Sequence, residues 1–301
     1  MELHVSNAPQ IYAKDSTRTL MYDVILALLL PSFAGIWFFG LRAALVLVIA
    51  IAAAVLSEYG YQKILHKPVT INDLSAVVTG LLLGLNLPVS APWWLPVIGS
   101  VFAIVLIKQL FGGLGDNFLN PALSARAVLL ASWPTLMTNF TRPGPSLDAV
   151  SSATVLSGYP SIPLQMFIGN IPGTIGEVSK AAILLGFLYL LLRGVISWRI
   201  PVVFVGAYAL LALMLGNDVL TGVLSGGLLF GAVFMAPDYT TSPMTAKGQY
   251  IFAAACGLIV ALIRNFGAYP EGVTYAILLL NIVTPLIDRS VKNKVYGKGK
   301  Q

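Results

Sequence analysis

Stretches of about twenty mostly apolar residues follow one another along the chain and constrain its fold more than any other feature. A helix needs roughly 20 such residues to cross the hydrocarbon core of a bilayer. Within that core, only a helix or a closed barrel satisfies its own backbone hydrogen bonds. The pattern therefore predicts an all-α polytopic membrane protein with about ten transmembrane helices. We place them at 20–41, 43–61, 72–88, 93–111, 121–137, 180–197, 200–216, 219–236, 249–265 and 272–288.

Composition excludes several other classes of protein. Of the 301 residues only 10% are charged, and mean hydropathy is +0.84. This composition excludes disorder and nucleic-acid binding as the main role. The single cysteine, Cys256, excludes a disulfide framework and a cysteine-ligated metal cluster. The two histidines, His4 and His66, lie in polar flanks, so we expect neither a haem in the bilayer nor a Ser-His-Asp hydrolase, and no metal site.

The basic residues predict the orientation, because cytoplasmic loops collect lysine and arginine. An even number of spans puts both termini on one side. We predict a bacterial or archaeal cytoplasmic membrane protein with both termini in the cytoplasm and no signal peptide. The outer side would carry only Arg42, Arg142, Lys180 and Arg264. The cytoplasmic side would carry Lys14, Arg18, Lys63, Lys67, Lys108, Arg193, Arg199, Lys247, Arg289, Lys292, Lys294, Lys298 and Lys300.

The two halves of the chain echo each other. The segment from Thr79 to Gly84 is similar to that from Gly226 to Gly231, and Asn120-Pro121 is similar to Tyr269-Pro270. Two five-helix units must be inverted relative to each other, an arrangement typical of transporters. The glycines predict close helix approach. We divide the chain into an N-terminal half (1–137), an outward-facing loop (138–179) and a C-terminal half with a basic cytoplasmic tail (180–301).

The long loop contains the segment Asp148-Ala-Val-Ser151-Ser152-Ala-Thr154. This segment resembles the signature D-x-x-S-[GS]-A-T, at which a flavin transferase attaches FMN to threonine through a phosphoester bond. The signature occurs in the D subunit of the Rnf complex and in the B subunit of the sodium-pumping NADH:quinone reductase. The resemblance implies that Thr154 carries covalent FMN as phosphothreonyl-FMN, with Asp148, Ser151 and Ser152 as part of the recognition sequence. For this chemistry we expect an exposed, flexible acceptor.

Further blocks carry the same resemblance, which extends over residues 9 to about 290. The length is closer to that of the Rnf D subunit, because the quinone-reductase homologue has a longer N-terminal extension. The blocks are Gly112–Ala122, Gly173–Glu177, Trp198–Pro201, Met235–Pro243 and Tyr269–Gly272 with Ala276–Asn281.

The resemblance implies a membrane flavoprotein component of an enzyme complex that passes electrons between the ferredoxin and NAD couples, coupled to Na⁺ or H⁺ translocation. No G-x-G-x-x-G motif links a strand to a helix, so NADH has no Rossmann site here and electrons come from partners. The chain would be part of an oxidoreductase without being catalytically complete alone. Implied partners are Rnf subunits A, B, C, E and G, the flavin transferase and membrane lipid, with no nucleic acid.

Polar residues near the span ends admit two interpretations. The resemblance implies a second, noncovalent flavin (riboflavin) on the cytoplasmic side, and residue matching places it at Asn117, Asn120, Asp238, Thr240 and Thr241. Alternatively, these asparagines and aspartates only cap helices.

Arg126 and Asp23 are charged residues inside the predicted spans, where an isolated charge is costly. Arg126, in the fifth span, must pair with a carboxylate or a flavin dipole. Asp23, in the first span, is either a buried charge with a function or the frayed start of a helix at the interface.

Three other functions fit part of the sequence. A component similar to the B subunit of a sodium-pumping quinone reductase shares the signature. A non-redox secondary transporter explains the repeat but not Asp148–Thr154, and a structural scaffold explains only the helices. Retained flavin after denaturation separates the flavoproteins from the other two.

Overall fold

The computed structural model describes residues 16–143, 151–152, 154–157, 162–267 and 271–291. Most of the described chain is helical. The thirteen helices of this part are α1 (Thr17–Phe39), α2 (Leu41–Ile64), α3 (Ser75–Leu85), α4 (Trp94–Val101), α5 (Pro121–Ser132), α6 (Pro134–Met137), α7 (Pro163–Ile168), α8 (Lys180–Leu192), α9 (Arg199–Met214), α10 (Val219–Leu224), α11 (Leu228–Phe230), α12 (Ala246–Phe266) and α13 (Val273–Ser290).

Shorter elements complete the fold. Strands β1 (Phe140–Thr141) and β2 (Ser151–Ser152) pair antiparallel, and two 3₁₀ turns occupy Ile71–Asp73 and Val155–Ser157. Two helices continue as π-helix, in which each amide bonds five residues back: α4 over Phe102–Gln109 and α11 over Gly231–Met235. Leu110 N bonds Val105 O, and Ala236 N bonds Gly231 O. Such turns are rare and frequent at functional sites.

The helices confirm the prediction of an all-α polytopic membrane protein. Four are long and apolar enough to cross a bilayer, namely α1, α2, α12 and α13. The shorter apolar helices α3, α5, α8, α9 and the continuous 94–109 segment occupy further predicted spans. Ser16 caps α1 by accepting a hydrogen bond from Thr19 N, and Gly40 (φ +74°) lets α2 follow directly. The predicted first loop around Arg42 is thus already helix.

Two of the differences from the predicted spans have a cause in a single residue. The fifth helix ends at Ser132 rather than at 137, because Pro134 follows and starts the separate turn α6. The predicted span 219–236 is interrupted between α10 and α11. Gly226 adopts a left-handed backbone (φ +60°), which breaks the helix and leaves the carbonyls at the end of α10 without helical partners.

Packing relates the two halves. In the first half α2 packs against α3 and α4, and in the second α9 packs against α12. Between the halves α1 packs on α8 and α5 on α13. Gly80 brings α3 against α2, since a Cβ there would lie 2.8 Å from Ala50 O. Helices in corresponding positions of the two halves thus face each other, although the limits 1–137, 138–179 and 180–301 stay a prediction.

Candidate functional site

A cavity of about 90 Å³ lies between α1, α3, the end of α4 and the loop after α11. Its wall is mostly apolar, with a few polar side chains. Four of the five residues predicted for a noncovalent flavin line it, namely Asn117, Asn120, Asp238 and Thr240. Thr241 does not line the cavity but bonds Asp238. The structure therefore brings together residues that are more than a hundred positions apart in the sequence.

The two asparagines also have structural roles. Asn117 Nδ2 donates to Leu119 O (3.1 Å) and to Thr240 Oγ1 (3.2 Å), which ties the loop before α5 to the loop after α11. Asn120 Oδ1 accepts from Leu123 N (3.2 Å) and caps α5. The capping interpretation is therefore observed for Asn120, in a residue that also lines the cavity.

Asp238 organises the turn on the opposite wall. Its carboxylate accepts hydrogen bonds from the hydroxyls of Thr240 (3.1 Å) and Thr241 (3.3 Å). Burial raises the pKa of Asp238 above its ordinary value, against the effect of these hydrogen bonds, which lower the pKa. The carboxyl group is thus held in place by its own loop.

A buried polar group adjoins the cavity, and two of its members, Ser75 and Lys108, line it. We call Glu58, Gln62, Ser75, Lys108 and Gln109 the Glu58 cluster. Lys108 Nζ lies 2.9 Å from both carboxylate oxygens of Glu58 and 2.6 Å from Ser75 Oγ. Gln109 Nε2 donates to Glu58 Oε1 (2.8 Å). Lys108 was expected as a basic residue at the cytoplasmic end of its span. The π-helical turn instead directs it inward, where it is 2% exposed.

A second charged group lies near the interruption of the eighth span, and we call Asn86, Arg126, Glu177, Lys180, Arg264 and Glu271 the Arg126 cluster. Arg126 forms an ion pair with Glu271, and its Nη1 donates to Asn86 Oδ1 at 2.5 Å. Of the two partners predicted for Arg126, the structure shows the carboxylate.

The interruption between α10 and α11 is held by two basic side chains. Arg264 donates to Gly222 O (2.6 Å) and Ser225 O (3.2 Å), and Lys180 donates to Gly226 O (3.1 Å) and Glu177 O. The carbonyls of Gly222, Ser225 and Gly226 lie at the break in the helix, whereas that of Glu177 belongs to the loop before α8. The sequence predicts Lys180 and Arg264 on the outer side of the membrane; in the structure Lys180 is fully buried and Arg264 partly buried. The sequence signal for the interruption was the segment Ser225-Gly226-Gly227 inside an apolar run.

Hydrogen bonding is incomplete in the Arg126 cluster. Within the described residues, three of its buried atoms have no hydrogen-bond partner, namely Arg126 Nε, Glu177 Oε2 and Arg264 Nε. Buried polar atoms are nearly always paired in folded proteins, and exceptions point to a missing water, ion or ligand.

Asp23 is a buried residue of α1 and not part of a frayed end. Arg193 Nη2 donates to its Oδ2 (3.0 Å), and Tyr189 OH donates to its Oδ1 (2.8 Å). Both partners lie at the end of α8. The contact therefore joins the two halves of the chain.

The predicted flavin acceptor lies close to the interrupted helix. Thr154 is buried, with 8% exposure, which contradicts the expected exposed acceptor. Two residues later, Leu156 contacts the interruption, because a Cβ on Gly226 would lie 2.7 Å from Leu156 Cδ1. Ser151 and Ser152 form β2 against β1, and Asp148 lies outside the described residues.

The chain is similar over nearly its whole length to one family of membrane proteins. A model of the NQR2, RnfD, RnfE family matches residues 4–297. The chain is 50% identical to the D subunit of the Na⁺-translocating ferredoxin:NAD⁺ oxidoreductase complex of Acetobacterium woodii, covering 100% of this chain and 97% of that one. It is 41% identical to the proton-translocating counterpart of Clostridium ljungdahlii, covering 97% and 96%. It is 35% identical to the D subunit of an ion-translocating oxidoreductase complex of Halorhodospira halophila, covering 96% and 94%.

Proposed function

The chain belongs to the NQR2, RnfD, RnfE family, and we propose that it is the flavin-carrying D subunit of an Rnf complex. In that role it passes electrons between the ferredoxin and NAD couples, coupled to translocation of Na⁺ or H⁺. The observation that carries the proposal is the segment Asp148–Thr154 in a chain similar over its full length to such proteins. The partners are the Rnf subunits A, B, C, E and G and a flavin transferase.

The covalent cofactor is FMN on the side-chain oxygen of Thr154. The position of the acceptor supports this role, because Leu156 docks the following turn on the interrupted helix, beside Arg264 and Lys180. Basic side chains at that place favour the negative charge of a phosphodiester. A tether also removes the need for a nucleotide-binding fold, while the flavin supplies the electron-transfer chemistry.

Mass spectrometry tests the covalent flavin. The chain purified from a transferase-competent host should exceed its 32.0 kDa by one FMN, with the added mass on the peptide that contains Thr154. Thr154→Ala should abolish this mass and the in-gel flavin fluorescence while the helices stay inserted, and Thr154→Ser keeps a hydroxyl as the matched control. Only unmodified peptide from wild-type protein would refute the assignment.

A second, noncovalent flavin occupies the cavity lined by Asn117, Asn120, Asp238 and Thr240. Apolar walls with few polar groups suit a planar aromatic ring that has a hydrogen-bonding edge. Asparagine side chains both donate and accept, as the pyrimidine edge of a flavin requires. Denaturation should release one flavin per chain in addition to the covalent one. Thr240→Val should lower the released fraction without changing the mass on Thr154.

The chain lies in the cytoplasmic membrane, with both termini on the cytoplasmic side. The basic residues in the loops predicted on that side and in the tail 292–300 support the orientation. Reporter fusions at Ser146 and Lys298 should give signals on opposite sides of the membrane, with that at Lys298 in the cytoplasm, and signals from the same side would refute this topology.

A further inference from the structure

A continuous chain of hydrogen bonds leads from the polar loop before α3 to the wall of the cavity. Asp73, in the 3₁₀ turn before α3, is partly exposed and accepts from the hydroxyl of Ser75 at 2.5 Å. Ser75 Oγ in turn accepts from Lys108 Nζ at 2.6 Å. Ser75 and Lys108 line the cavity, whereas Asp73 does not. The chain therefore has one end near the surface and the other at the cavity.

The bonds are arranged in a way that supports proton transfer. Ser75 has one hydroxyl proton and accepts at the same oxygen, so it can take a proton from one neighbour while it gives one to another. Both of its partners are titratable groups. Glu58, from α2, holds the Lys108 ammonium by two bonds of 2.9 Å, and Asp238 lies across the cavity. The charged groups that face Lys108 from α2 and from the loop after α11 are thus both carboxylates.

We propose that Asp73, Ser75 and Lys108 form a proton relay that carries protons between the cytoplasmic side and a flavin in the cavity. This inference rests on the proposed flavin in that cavity. Two-electron reduction of a flavin takes up at least one proton. The electrons come from a one-electron carrier of a partner protein in the complex, and the proton leaves Lys108, passes through the oxygen of Ser75 and bonds to a flavin ring nitrogen. A proton from water then enters at Asp73 and returns through Ser75 to the Lys108 amine.

A purely structural role for these bonds makes different predictions. If Ser75 only stabilised the start of α3, its loss would change stability and flavin content together, without a specific effect on proton uptake. A relay predicts slower proton-coupled reduction with an unchanged flavin content and an unchanged midpoint potential, because a relay affects rates and not equilibria. General acid–base transfer typically contributes about a hundredfold or more to rate.

The decisive experiment uses the assembled complex with Ser75→Ala. The Lys108–Glu58 ion pair remains in this variant, so the closest buried charges stay paired. We expect reduction of the noncovalent flavin and dye-detected proton uptake to slow about a hundredfold, with a larger solvent deuterium effect. Ser75→Thr, which keeps the hydroxyl, should restore both rates. Ser100→Ala is the matched control, since Ser100 is also buried but its hydroxyl donates to the backbone carbonyl of Ala50 instead of to a titratable group.

A second variant acts outside the cavity. Asp73→Asn leaves an oxygen to accept from Ser75 but removes the ionisable group, so it should slow proton uptake and abolish an infrared carboxyl signal that accompanies flavin reduction. Asp73→Glu should restore both. Normal rates in Ser75→Ala and Asp73→Asn with a full flavin content would overturn the relay alone. A wild-type complex that releases no noncovalent flavin would overturn both the relay and the proposed cavity site.

Discussion

The Glu58 cluster and the Arg126 cluster bury the same kinds of charged side chain but differ in how fully their hydrogen bonds are satisfied. In the first, the ammonium group of Lys108 uses its three protons on Glu58 and Ser75, and two glutamine side chains donate to the same carboxylate. In the second, Arg126, Glu177 and Arg264 each keep one buried atom without a partner among the described residues. A fully bonded buried network stiffens a fold, and an incomplete one is costly.

The difference indicates which cluster needs something from outside the chain. The Glu58 cluster has its hydrogen bonds made within the chain and joins α2, α3 and the end of α4. The Arg126 cluster surrounds a helix interruption and lies beside the turn that follows Thr154. We therefore expect the stability of the second cluster, but not that of the first, to depend on the proposed covalent cofactor.

The largest effect is expected for Arg126→Leu. The substitution leaves the partly buried Glu271 without its cation, at a cost of about 3 kcal/mol. Thermal unfolding in detergent should show this loss of stability, together with reduced flavin content. Normal assembly with full flavin content would show that the ion pair contributes little and would remove the contrast between the clusters.

Replacing both charges of the Glu58 cluster should be far milder than replacing one. Glu58→Leu alone leaves Lys108 unpaired and should cost about 3–5 kcal/mol, whereas Glu58→Leu with Lys108→Met should recover most of that loss. Unfolding midpoints of the three proteins give the coupling. The matching pair Arg126→Leu with Glu271→Leu should not recover flavin content. Full recovery of flavin content in this second pair would contradict the distinction between the clusters.

Gly226→Ala should destabilise the protein by about 1–2 kcal/mol, because the residue has a left-handed backbone. Its Cβ would also meet Leu156, so Leu156→Ala in the same chain should relieve part of the loss. Gly206→Ala in α9 is the matched control, since nothing lies within 4 Å of its Cβ position. Equal unfolding temperatures for the two glycine variants would show that the interruption does not need its backbone conformation.

The smallest effect concerns Asp218, which caps α10 at the far end of the interrupted span. A hydrogen bond from Thr221 lowers the pKa of this exposed carboxyl below its ordinary value. The stability it contributes is therefore present above the pKa of the unfolded chain and is lost as pH falls through the lower pKa of the folded chain. Asp218→Asn should weaken the acid dependence of unfolding slightly. The same dependence of stability on acid pH in the variant and the wild type would show that the cap contributes nothing.

Hydropathy was sufficient to predict the helices, but not where they stop. The ten apolar stretches correspond to the observed helices because burial in lipid imposes length and apolarity on each of them. The interruption at Gly226 and the early end of α5 depend on single glycine and proline residues, which an average over twenty positions hides. The inward direction of Lys108 depends on a π-helical turn, which has no signature in the hydropathy.

The candidate site was predictable where a local motif or a pairing rule applied. The positions Asn117, Asn120, Asp238 and Thr240 came from the family resemblance, and the structure brings them to one cavity. The partner of Arg126 was predicted only by class, because Glu271 lies 145 positions away and only the fold brings it near. Glu58, Ser75 and Lys108 were not predicted as site residues, although Glu58 and Lys108 are charged residues within the predicted spans 43–61 and 93–111.

The π-helical turns give the cavity a dependence on the exact residue count of its walls. An α-helix advances by about 100° per residue, so one residue more or fewer rotates everything beyond it onto another face. In the wider turn over Phe102–Gln109, the extra residue sets the direction of Lys108 and Gln109 toward Glu58. A one-residue deletion upstream in this turn would point the ammonium group elsewhere without altering a single side chain. The amino-acid identity of position 108 therefore carries meaning only together with the length of the segment that precedes it.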